Sequence, residues 1–93
     1  MHVFSAEVEL RLQSRTLKEK RGIVKSILAR ARNTFNVAAA EVDWQDLPGC
    51  AILAFVTVSE GSVQGRRTLE QLEERLVGER PDLEVVAVEI EER

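Results

Sequence analysis

Ninety-three residues, 44% of them apolar, suffice for one two-layer domain with a single core, since a chain of this size buries about 60–65% of its unfolded surface. The lone cysteine, Cys50, excludes an internal disulfide and suits a reducing, cytoplasmic setting; no apolar run nears the ~20 residues of a membrane span, and the opening MHVFSAEVEL lacks the basic-then-apolar order of a secretory leader. The net charge of −3 argues against a nucleic-acid partner only when taken whole: residues 11 to 32 hold eight cations against the single acid Glu19, a local balance of +7 on an otherwise acidic body.

Residues 2 to 12 alternate, with Phe4, Ala6, Val8, Leu10 and Leu12 on one side and Val3, Ser5, Glu7, Glu9 and Arg11 on the other, which predicts a half-buried strand. After Gln13-Ser14-Arg15, Thr16 followed three residues later by Glu19 is a capping-box signature. Leu17, Val24, Ile27, Leu28, Ala31 and Phe35 then share one sector of a helix of about five turns, ended by Asn33 and Asn36 in left-handed or turn positions. A second strand is expected from Val37 to Trp44, and Asp46, Pro48 and Gly49 mark a turn. Cys50 to Ser59 is nearly continuous in apolar residues, so both faces of that strand are expected to be covered. A second helix runs through Val63, Leu69, Leu72, Leu76 and Val77 until Gly78 and Pro81 stop it, and Leu83 to Glu91 alternates as a last strand.

The order β-α-β-β-α-β, with two right-handed crossovers, folds most simply into a ferredoxin-like plait: a four-stranded antiparallel sheet with both helices on one face. Another two-layer α+β arrangement is the alternative.

The strings Leu17-Lys18-Glu19-Lys20-Arg21, Phe35-Asn36-Val37 and Ala40-Glu41-Val42-Asp43, in this order, resemble the YlxP-like family of small bacterial proteins of unknown function. The resemblance runs over essentially the whole chain and departs from the family pattern in the alanine-rich Val37-Ala38-Ala39-Ala40. It implies a ferredoxin-like domain whose genes often lie near those of translation and ribosome maturation. It implies no catalytic residues.

The residues themselves point away from several chemistries. One histidine, His2, and one cysteine, Cys50, do not make a metal site or a His/Cys dyad, and Cys50 reads as a small core residue. No metal, cofactor or membrane partner is expected. Carboxylates pair at i, i+2 in Glu7 and Glu9, Glu41 and Asp43, and Glu89 and Glu91, and the first two pairs are expected to crowd one sheet face. An open face offers no cleft for paired acid-base work, so a hydrophilic or partner-facing surface is the plain reading. An acylphosphatase-like hydrolase, which shares the plait, requires a glycine-rich anion cradle with an arginine after the first strand. The connection here has Arg15 but no glycine, leaving it a distant alternative.

Plaits that bind RNA on the sheet stack bases on aromatics of the two central strands. The first strand's outward set has none, and the third offers only Phe55, so Leu53 and Phe55 read instead as an apolar patch for a homo-oligomer. At about 100° per residue, Lys18, Arg21, Lys25 and Arg32 form one stripe along the first helix, with Arg15 beside its start. Lys20 falls inside the apolar sector, where it must snorkel or meet an acid. The chain therefore reads as a non-enzymatic cytoplasmic binding module. Its stripe (Lys18, Arg21, Lys25 and Arg32, with Arg15 and Lys20 adjacent) engages structured RNA or a ribosomal particle. The competing reading is an oligomeric scaffold or protein-interaction module in which stripe and sheet face make subunit contacts.

Overall fold

The computed structural model describes Met1–Arg93, and its first strand follows the alternation in the sequence. In β1 (His2–Arg11), Phe4, Ala6, Val8 and Leu10 turn inward and are at most 2% exposed, with Leu12 just beyond. Each such large side chain contributes on the order of 1.5–3 kcal/mol on leaving water. The helix α1 (Leu17–Thr34) begins as its cap predicts: Thr16 is extended and its hydroxyl accepts from the Glu19 N–H at 3.1 Å. The Glu19 carboxylate reaches back one residue further than in the standard box, to the Arg15 N–H. The helix ends differently from expectation. Neither Asn33 nor Asn36 is left-handed; Phe35 leaves in an extended conformation while its N–H donates to the Ala31 carbonyl.

The remaining elements are β2 (Ala38–Asp43), β3 (Cys50–Ser59), α2 (Ser62–Glu79) and β4 (Glu84–Glu92). The sheet is antiparallel in the order β2-β3-β1-β4, with β1 and β3 central, and this is the ferredoxin-like α+β plait. Its core lies between sheet and helices: the inward set of β1, Ala51, Leu53 and Phe55 from β3, Val24, Ile27, Leu28 and Ala31 from α1, and Leu69 and Leu72 from α2. The backbone of α2 sits directly on β1 because Gly65 has no side chain; a Cβ there would lie 2.6 Å from Cδ2 of Phe4. The Arg66 guanidinium covers the same ring at 5.7 Å.

Three expectations are corrected here. Leu53 and Phe55 are fully buried core residues and form no exposed patch. The outward side chains of β3 are instead Ile52, Ala54, Val56 and Val58, because Ala6 and Val8, which face the core, pair with Phe55 and Leu53. Cys50, facing the same way as Ile52, is half-buried and opposite Arg11. Finally, Glu41 and Asp43 do not join Glu7 and Glu9: β2 is separated from β1 by β3, Glu41 turns toward α1, and the register shifts between Glu41 and Asp43.

Candidate nucleic-acid interface

The first helix carries the cations on the flank that faces the free edge of β2. Arg32 fixes that orientation, since its guanidinium donates to the Ala39 carbonyl on the edge. A second edge carbonyl, that of Glu41, accepts from the Gln45 side-chain amide at 3.5 Å. Lys18, Arg21 and Lys25 extend along the same flank, all exposed and none in an ion pair with an acid of the chain. Arg15 is exposed and unpaired beside the helix start. Arg30 lies on the opposite side, where it meets Glu79 of α2 at 3.3 Å, with Arg75 at 2.8 Å from the same carboxylate. The hydrogen bond from Arg75, aided by Arg30, holds the Glu79 carboxyl below the ordinary carboxylate range against a push from partial desolvation.

Lys20 does not belong to this exposed set. It is 1% exposed, its ammonium lies 2.8 Å from Glu41 Oε2, and it also donates to the Trp44 carbonyl. Glu41 Oε2 has no directed hydrogen bond beyond this ionic contact. Trp44 is the one non-glycine residue with a left-handed backbone, at φ 63°, and its N–H is held by the Asp43 carboxylate at 2.8 Å. Together these contacts pin the start of α1 to the end of β2. The position of Lys20 in the apolar sector signalled a need for an acid; nothing in the spacing singled out Glu41 from the other carboxylates.

The other face of the sheet divides in two. Over β2 and β3 it is apolar, with Val42, Val56 and Val58 all more than a third exposed. Over β1 and β4 it is acidic: Glu7 pairs across strands with Glu89, beside Glu9 and Glu91. The Glu89 carboxyl is consequently held above its ordinary value of 4.5, first by a hydrogen bond with Glu91 and that group's charge, then by partial desolvation and the charge of Glu7, with Arg93 pulling the other way. A carboxyl whose pKa is raised by folding favours the folded state while protonated, and that contribution is lost as pH rises through the raised value. Glu89→Gln should therefore raise the melting temperature at about pH 7, and the gain should shrink as the pH falls to about 4, as paired thermal melts will show.

The fold and this flank define a small plait domain with a cationic helix on an acidic body, and the comparisons specify it further. Residues 3–90 match the model of the family described as a protein of unknown function, DUF503, and the chain belongs to that family. It is similar to the uncharacterized protein YlxP of Bacillus subtilis (strain 168), at 37% identity over 57 residues, covering 61% of this chain and 62% of that relative's length.

Proposed function

We propose that this domain is a non-enzymatic module of the cytoplasm that binds structured RNA, or a ribosomal particle presenting it, through the exposed flank of α1. The observation that carries this reading is the charge of that flank: Lys18, Arg21 and Lys25 are exposed and none forms an ion pair with an acid of the chain. Surface helices ordinarily mix signs, as α2 does, and a cation in the first turn works against the helix dipole. The unneutralised stripe thus has a cost in stability that an anionic ligand offsets. The family resemblance adds the expectation of a translation-linked context. No helix is long and apolar enough to cross a membrane. The hydrolase alternative finds little support in the first connection, where the Leu12 and Arg15 amides are already engaged by Gly49 and Glu19.

The test is fluorescence anisotropy with a labelled RNA hairpin between roughly 50 and 200 mM salt. Three phosphate contacts correspond to a log–log salt slope of about −2 to −3. Lys18→Glu/Lys25→Glu should abolish most of the affinity and flatten the slope. No binding at low salt, or equal binding by the charge-reversed chain, rejects the reading.

A second reading, a homo-oligomer, now rests on Val42, Val56 and Val58 in place of Leu53 and Phe55. A two-fold axis through the apolar half of the sheet matches apolar surface to apolar surface and carries the two acidic halves to opposite sides. Sedimentation that finds only monomer at high concentration removes it.

A further inference from the structure

A glycine inside a helix is less favourable than alanine, and packing within the chain accounts for Gly65 but not for Gly22. A Cβ at Gly22 would meet nothing within 4 Å. This residue is exposed, four positions after Lys18 and three before Lys25, and it floors an open groove whose other walls are Lys18, Glu19, Ile23 and Arg80. Arg80 enters from the C-cap of α2. Its Nε is buried without a hydrogen-bond partner, and its nearest acid, Asp82, lies 3.6 Å from the guanidinium. The one acid in the groove, Glu19, is turned to the Arg15 amide. A cation at the start of α1 and one at the C-cap of α2 therefore line the same groove, with the bare backbone of Gly22 in its floor.

We propose that this groove seats a phosphate of the RNA backbone, with Lys18 and Arg80 as its charged walls and Gly22 as the point of close approach. The proposal rests on the RNA reading above and extends it from a flank of one helix to a site built by two. A phosphate here lies over the helix surface, where any side chain at position 22 would hold it away from both cations. Arg80 adds the terminal amino groups of a planar guanidinium, suited to phosphate oxygens, while its buried Nε faces the protein.

The experiment sets thermal melts beside anisotropy with the same RNA hairpin for Gly22→Ala, Gly22→Gln and Arg80→Gln. With open space at the site, Gly22→Ala should raise the melting temperature by about 4 °C or more. Gly22→Gln and Arg80→Gln should each weaken hairpin binding by about three- to tenfold at low salt. A glycine variant that is more stable yet binds less is an outcome that a purely structural role for Gly22 does not give. Unchanged affinity in Gly22→Gln and Arg80→Gln, with affinity still lost in Lys18→Glu/Lys25→Glu, overturns the groove and leaves the stripe standing. A wild-type chain that does not bind the hairpin overturns both.

Discussion

Glu41→Ala should destabilise the domain by about 3 kcal/mol, the lower end of the 3–5 range for breaking a buried ion pair, because the Glu41 side chain keeps 17% of its exposure. The loss comes from the partner left behind. Lys20 is 1% exposed, and without the carboxylate its ammonium keeps only the Trp44 carbonyl. Replacing both members with apolar residues of similar volume, as in Lys20→Met/Glu41→Leu, removes the stranded charge. That double variant should recover to within about 1–2 kcal/mol of the wild type, the remainder being the unsatisfied Trp44 carbonyl. Urea unfolding curves with unchanged slope will measure both. A loss below about 1 kcal/mol in Glu41→Ala would mean that Lys20 escapes to solvent and that the start of α1 is held by its apolar face alone.

Phe55→Ala should cost about 3–5 kcal/mol, as expected when a fully buried aromatic side chain is cut back and its cavity cannot collapse. The variant also separates two uses of β3. Phe55 belongs to the core, so its removal should lower the melting temperature and leave any assembly state of the folded fraction unchanged. Val58 is 54% exposed on the outer face, so Val58→Lys should leave the melt within about 0.5 kcal/mol of the wild type and dissociate a sheet-mediated oligomer. Dissociation of a fully folded Phe55→Ala chain would contradict the observed side-chain orientation.

The contrast between β1 and β3 explains how far the sequence could be read. From Ser5 to Arg11 every second residue of β1 is polar, so its inward face was legible and the structure keeps it. In β3 apolar residues occupy both faces, and a run without contrast carries no phase; only pairing with β1 reveals that Phe55 opposes Ala6 and therefore points inward. The same limit applies past the irregularity in β2, where the register shift at Glu41 and Asp43 breaks the period-2 rule. For the candidate site, helical geometry placed Lys18, Arg21, Lys25 and Arg32 on one flank and set Lys20 apart. The partner of Lys20 and the approach of Arg80 to Gly22 are contacts between elements distant in sequence, and no local spacing encodes them.

The two capped carbonyls on the edge of β2 bear on how this chain stays dispersed. A short, alanine-rich edge strand with free backbone groups invites a neighbouring molecule to add a strand of its own, the first step toward ordered aggregation. Arg32 at the Ala39 carbonyl and Gln45 at the Glu41 carbonyl already occupy the acceptors that an incoming strand would need. Displacing the arginine alone gives up a charge-assisted hydrogen bond of about 1.5–3 kcal/mol. Of the four cations on the flank, Arg32 thus acts first as a guard against strand addition, and Lys18, Arg21 and Lys25 remain free for a ligand.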